Sequence, residues 1–238
     1  MRYTLVILLA TFVIPAQAQD DRNVSSPLAL SLDGRHELAL TVGAFRPTSS
    51  FNLRRTGAFG SNDRFGRTGY MFAMDYLRNL NRSVAIGAEW GYISREQQEI
   101  TNVYNPILPF VTRVRGDTNL VLGIVRLRLP GAGFRPYGLV GAGWFRTRLN
   151  VYGAWPSGGP EADFIDDAKT GFAWMMRTGV EYTALSGSFI AVEGGFLRTA
   201  SKSFGPTDAG LASGFLPVSA TGDGMSLAMR VGIRLGPK

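Results

Sequence analysis

The chain has 238 residues, 30 of them glycine and none cysteine, with 25 basic side chains (22 arginine) against 18 acidic ones. The absence of cysteine excludes a disulfide scaffold, a cysteine-ligated metal and an acylated lipoprotein cysteine. The positive balance is scattered through strand-like segments and gathered in no single basic run, which argues against nucleic acid as a partner.

Residues 1–19, MRYTLVILLATFVIPAQAQ, open with Arg2, continue with an apolar run from Leu5 to Ile14, and end on Ala16-Gln17-Ala18. That pattern predicts an export signal cleaved near Ala18, since about ten apolar residues stopped by a proline are too few to span a bilayer comfortably. Asp20 to Arg35 is polar and reads as a short N-terminal tail on the periplasmic side. No later stretch approaches about 18 continuous apolar residues. A membrane-embedded form of residues 36–238 therefore has to be a closed barrel, in which every backbone polar group finds a partner strand.

Eight segments alternate with a period of two. The first, His36 to Phe45, sets Leu38, Leu40, Val42 and Ala44 against Glu37, Ala39, Thr41 and Gly43. Residues 46–68 form a long loop with Arg46, Arg54, Arg55, Arg64 and Arg67 and one acid, Asp63. The second, Gly69 to Leu77, sets Tyr70, Phe72, Met74 and Tyr76 against Met71, Ala73 and Asp75, and the third, Ser83 to Ile93, sets Val84, Ile86, Ala88, Trp90 and Tyr92 against Ala85, Gly87, Glu89 and Gly91. A long loop is expected from there to about Asp117. In the fourth, Thr118 to Leu129, a charge facing lipid would cost roughly 2–4 kcal/mol, so Arg126 and Arg128 are placed inward and Val121, Val125 and Leu127 outward.

The fifth, Pro136 to Arg148, opposes Tyr137, Leu139 and Phe145 to Val140, Ala142, Trp144, Arg146 and Arg148. Ala142 and Arg146 are placed inward and Tyr137 outward. A loop of about twenty residues with Glu161, Asp163, Asp166 and Asp167 follows. The sixth, Gly171 to Tyr182, is the clearest: Phe172, Trp174, Met176, Thr178, Val180 and Tyr182 alternate with Ala173, Met175, Arg177, Gly179 and Glu181. The seventh, Ser188 to Arg198, turns Ile190, Val192, Gly194 and Phe196 outward and Phe189, Ala191, Glu193, Gly195 and Leu197 inward. The eighth, Met225 to Leu235, turns Leu227, Met229, Val231, Ile233 and Leu235 outward and Ala228, Arg230, Gly232 and Arg234 inward. Connections alternate long and short, which puts all long loops at one end and all turns, with both termini, at the periplasmic end. No segment requires a helix. The predicted fold is all-β, an eight-stranded antiparallel up-and-down transmembrane β-barrel.

The pattern could also be turned inside out, as a soluble lipocalin-like ligand-binding barrel. The minor face, small residues interleaved with charges, argues against that: a narrow barrel interior needs glycine and alanine beside long charged side chains, whereas on a wet face glycine only weakens the sheet. Tyr70, Tyr76, Trp90, Tyr92, Tyr137, Trp174 and Tyr182 are then expected as aromatic girdles at the headgroups.

Export signal, eight alternating segments, alternating loop length and a final amphipathic strand together make residues 36–235 resemble the small outer-membrane barrels of the OmpA/OmpX type in Gram-negative bacteria. The resemblance implies residence in the outer membrane, contact with its lipid and lipopolysaccharide, and assembly by the barrel-assembly machinery. Such barrels usually end in Phe or Tyr, whereas this chain ends Leu235-Gly236-Pro237-Lys238.

Buried charges must pair, so Asp75, Glu89, Glu181 and Glu193 are expected to meet Arg126, Arg146, Arg177, Arg230 and Arg234 in an interior network that plugs the lumen. A narrow pore is the alternative reading of the same residues. A lipid A-modifying enzyme is a second alternative, but His36, the single histidine, lies at the periplasmic rim, far from the outer leaflet, and it also excludes a multi-histidine metal site. Gly138-Leu-Val-Gly141-Ala-Gly143 is a weak echo of a phosphate loop and reads as small strand residues. No catalytic residue, cofactor or metal is predicted. The loop-one arginines are the candidate extracellular site, for lipopolysaccharide phosphates or sulfated glycans, unless they pair with the acidic third loop. The expected role is structural or surface-interacting.

Overall fold

The computed structural model describes residues 36–48, 50–53, 61–64, 68–102, 110–130, 133–154, 161–183 and 187–236. The export signal, the N-terminal tail and Arg54, Arg55 and Arg67 lie outside them. The strands are β1 (His36–Pro47), β2 (Ser50–Leu53), β3 (Ser61–Arg64), β4 (Gly69–Asn79), β5 (Val84–Asn102), β6 (Phe110–Arg128), β7 (Phe134–Ala154), β8 (Ala162–Thr183), β9 (Ser188–Thr199), β10 (Lys202–Phe204), β11 (Val218–Ala220) and β12 (Gly224–Leu235), with one helix, α1 (Asp208–Ala212). Eight of the strands close into an antiparallel barrel in the order β1, β12, β9, β8, β7, β6, β5, β4. The seam between first and last strand is in register from His36 opposite Leu235 to Pro47 opposite Gly224, so the wall has no free edge there.

The wall strands fold as they do because alternate residues meet opposite environments. Leu40, Val42, Val121, Leu127, Val140, Met176, Val192, Met229 and Val231 point out and are exposed, while Ala39, Ala73, Ala85, Leu122, Ala173, Ala191 and Ala228 point in and are buried. Small inward residues let eight strands close around a filled interior. The three short connections each carry a turn device. Asn81 accepts from the backbone N–H of Ser83 and Val84, both at 2.8 Å, and Gly133 and Gly187 adopt left-handed φ of 85° and 81°.

Three features differ from the sequence reading. First, β5 to β8 run far past the expected strand ends. The stretches predicted as loops after Ile93 and after Arg148 begin as strand, because the alternation persists with its outward face turned polar: Val114, Leu149, Val151, Phe164 and Ile165 are buried while Arg113, Arg115 and Arg148 face out.

Second, the faces of the fifth segment are reversed. Tyr137, Leu139 and Phe145 are buried inside, Val140 and Trp144 face out, and Ala142, Arg146 and Arg148 face out with them. An outward Arg146 carries no lipid penalty, because β7 has left the apolar belt by that residue.

Third, the last loop contains α1, capped by Thr207, whose Oγ1 accepts from Gly210 N at 3.0 Å. The acids of the third loop have partners on the neighbouring strands: Asp166 pairs with Arg148, Glu161 lies 3.8 Å from Arg113, and Asp167 holds Lys169 at 2.8 Å.

The last loop folds down inside the extension. Phe164 and Phe215 stack with centroids 4.6 Å apart, and Phe204, Val218 and Ile165 complete a second apolar cluster above the barrel. Gly205 N donates to Asp167 Oδ2 at 2.9 Å and Thr207 N to the Phe164 carbonyl at 2.9 Å, so the loop is tied to β8 at both backbone and side chain.

Candidate functional site

The barrel interior is divided along its axis. Its turn-end half is charged. Glu37 on β1 is the hub: it accepts from Arg126 through both oxygens, the Nη2 contact at 2.7 Å, from Arg230 at 2.9 Å, from Arg128 at 3.2 Å and from Arg234 at 3.3 Å. Arg230 also grips Asp75 at 2.6 and 3.1 Å, and Arg234 donates to Glu181. One layer on, Arg177 holds Glu89 at 2.6 and 2.9 Å and Glu193 at 3.2 Å, and the Tyr137 hydroxyl donates to Glu193 at 2.7 Å. Two rings pack among the guanidiniums: Arg230 and Arg234 each lie 5.1 Å from the Phe189 centroid, and Arg230 lies 5.9 Å from that of Tyr137.

Five carboxylates (Glu37, Asp75, Glu89, Glu181, Glu193) therefore face five guanidiniums (Arg126, Arg128, Arg177, Arg230, Arg234), all buried. The half is charge-neutral as built. Glycine makes the space: a Cβ on Gly195 would stand 2.5 Å from Arg177 Cγ, and one on Gly179 would stand 2.9 Å from Glu193 Cβ.

The loop-end half is apolar. Phe45, Met71, Ile93, Leu120, Phe145, Met175 and Leu197 fill it, followed by a Thr118–Thr147 hydroxyl pair at 2.8 Å and the buried Arg95, then the second cluster. A cavity among Phe45, Met71, Leu120 and Met175 measures about 20 Å³, and one beside Arg95 and Phe204 about 10 Å³. Each has space for about one water molecule. The inward residues described are buried and packed against one another along both halves.

Asp75, Glu89, Arg126, Arg177, Glu181, Glu193, Arg230 and Arg234 lie together in this interior; Arg146 does not. Glu37, the hub, stands on the inward face of the first segment, but nothing in the sequence announces that four arginines from β6 and β12 converge on it. Of the girdle residues, Tyr70, Tyr76, Trp90, Trp174 and Tyr182 are exposed on the outer wall and Tyr92 is partly so, whereas Tyr137 belongs to the interior. Phe134, Trp144 and Phe172 join the outward aromatics. His36 Nδ1 meets the Tyr76 hydroxyl at 2.6 Å at the turn-end rim. Of the loop-one arginines, Arg46 is exposed at the end of β1 and Arg64 lies in β3. Among the described residues no group of three or more His, Asp or Glu could hold a metal.

Outside the membrane-facing part, the extension carries its own ion pairs. Arg148 donates to Asp166 from Nε at 2.8 Å and Nη2 at 2.7 Å, which holds the Asp166 carboxyl below its usual range. Asp117 accepts from Tyr92, Ser94 and Arg115 at 2.9, 2.8 and 3.0 Å, and that carboxylate raises the Arg115 pKa.

A closed eight-stranded up-and-down wall, fatty outside and packed inside, is the fold of the small outer-membrane β-barrels. Among solved structures the chain is similar to the outer membrane protein OprG of Pseudomonas aeruginosa, with 10 % identity over 86 % of this chain and 98 % of that one and a TM-score of 0.56. Neisserial surface protein A (12 % identity, 84 % and 97 % covered, TM-score 0.39) and the attachment invasion locus protein Ail of Yersinia pestis (11 %, 84 % and 99 %, 0.36) also match. No family model and no curated protein matches the sequence.

Proposed function

We propose that this protein is an exported, non-enzymatic barrel of the outer membrane, with a structural or surface-interaction role borne by its loop end. The observation that carries the reading is the filled interior: ten paired charges, then an apolar layer, then a folded loop, inside a wall whose outer face is apolar. The neutral charged half supports a plug over a pore, because a conducting lumen needs water where Glu37 and Arg126 are fully paired. The single histidine, bound to Tyr76 at the turn end, supports the absence of acyl chemistry at the outer leaflet.

Two measurements test this. The mature chain folded in detergent should migrate faster on a gel unboiled than boiled, with a β-type circular dichroism spectrum; a chain that folds in buffer without detergent would defeat the membrane assignment. In planar bilayers it should give flat current traces at all voltages; reproducible single-channel steps would defeat the plug.

A further inference from the structure

The outer wall changes character between two adjacent cross-strand rows. In one, Trp90, Val121, Trp144 and Phe172 lie in register across β5 to β8 and face outward, Trp144 being 71 % exposed. In the next row toward the long loops the outward residues of β6, β7 and β8 are Asn119, Arg146 and Thr170, all exposed. Three other arginines point outward from the upper parts of β6 and β7, and each has an acid: Arg113 has Glu161 at 3.8 Å, Arg115 has Asp117 at 3.0 Å, and Arg148 has Asp166 at 2.7 Å. Arg146 alone of the four has none among the described residues. Asp117, one row higher, is already taken by Tyr92, Ser94 and Arg115.

From this we infer that Asn119, Arg146 and Thr170 form a binding site for the phosphate group of a lipid headgroup in the loop-side leaflet, whose acyl chain lies along Trp144 and Phe172. The inference rests on the membrane reading above and adds a ligand class to it. Side chains directly opposite on neighbouring strands stand about 4.5–5.5 Å apart at Cβ, so an amide, a guanidinium and a hydroxyl on three adjacent strands can reach one anion. The guanidinium is planar, weakly hydrated and suited to a two-point bond with phosphate. Because neighbouring arginines are neutralised by their own acids, the uncompensated charge of this face is focused on Arg146. The apolar row beneath gives an amphiphile its second contact, which a free anion lacks.

The test is native mass spectrometry of the mature chain in dodecylmaltoside with bisphosphorylated lipid A and with the same lipid lacking both phosphates. The wild type should hold the phosphorylated form at least about tenfold tighter, the value of one charge-assisted contact. Arg146→Gln should abolish that preference, and Arg148→Gln, which removes an arginine already paired with Asp166, should retain it. Equal binding by wild type and Arg146→Gln, or equal loss in both variants, overturns the site. Displacement of the lipid by millimolar inorganic phosphate overturns the lipid assignment in favour of a free anion. A detergent-dependent barrel without phosphate preference refutes this site alone, whereas a chain folded without detergent refutes the membrane reading beneath it.

Discussion

Replacing Glu37 tests whether the interior is held by charge balance or merely filled. In Glu37→Gln the shape is kept and one negative charge is removed. Arg230 retains Asp75 at 2.6 Å and Arg234 retains Glu181, but Arg126 and Arg128 are left to share Glu181, each at 3.7 Å. One buried guanidinium is then uncompensated. Removing one partner of a buried pair costs about 3–5 kcal/mol, and since the amide keeps weak contacts the loss should fall near 3 kcal/mol. Reversible urea unfolding in phospholipid micelles, followed by the fluorescence of Trp90, Trp144 and Trp174 on the outer wall, measures it. Adding Arg128→Met restores neutrality at four charges of each sign and should recover about 1–3 kcal/mol in the double variant. A single variant within about 1 kcal/mol of the wild type, or a double variant no better than the single, would show that the network is not what holds this half together.

Other perturbations probe other layers. Gly195→Ala should cost about 1–3 kcal/mol by driving Arg177 off Glu89, while Gly138→Ala, with nothing within 4 Å of its new Cβ, should stay within about 0.5 kcal/mol; equal effects in the same unfolding assay would deny Gly195 its space-making role. Phe164→Ala should open the second apolar cluster at a local cost of about 3–5 kcal/mol, read as new trypsin cleavage after Lys202 with the heat-dependent gel shift unchanged. Because Arg148 holds the Asp166 pKa below the unfolded value, this pair contributes stability that is fully present above about pH 4 and is lost as pH falls through the lowered folded pKa. Amide exchange in the upper parts of β7 and β8, corrected for intrinsic rates, should accelerate over that interval in the wild type and show no such step in Arg148→Ala. Exchanging Arg54 and Arg55 for Ser should weaken heparin binding by whole cells displaying the protein; unchanged binding removes loop one as an anion site.

The period of two exposes the barrel because each strand separates two environments, and in the sixth segment Trp174, Met176 and Val180 against Ala173, Arg177 and Glu181 leave little to decide. The fifth segment was less legible. Val140 and Trp144 are no fattier than Leu139 and Phe145, so hydropathy alone leaves the two faces equivalent, and an arginine such as Arg146 marks an inward face only where the strand is still within the apolar belt. The same change of environment hides the upper parts of β5 to β8. Once the outward residues become Arg113, Arg115, Arg148 and Asn150, the segment looks like a polar loop, although Val114, Leu149 and Val151 still mark every second position. Contacts across the lumen were not readable at all. Strand order places β1 three strands from β6, and only the closed geometry brings Glu37 to Arg126 and Arg128.

The unequal strand lengths give the molecule a direction within the plane of the membrane. β5 to β8 have 19–22 residues and β1, β4, β9 and β12 only 11–12, so half the circumference rises about 25–30 Å further along its strands than the other half. The result is a parapet on one side, with the last loop sheltered in its lee. On the low side the last loop meets the hairpin that follows β1, through contacts between β11 and β2, so the loop is held between a strand wall and a hairpin. A neighbouring barrel in the same membrane therefore meets two unlike flanks, a tall strand wall along β5 to β8 and a low rim along β1, β4, β9 and β12.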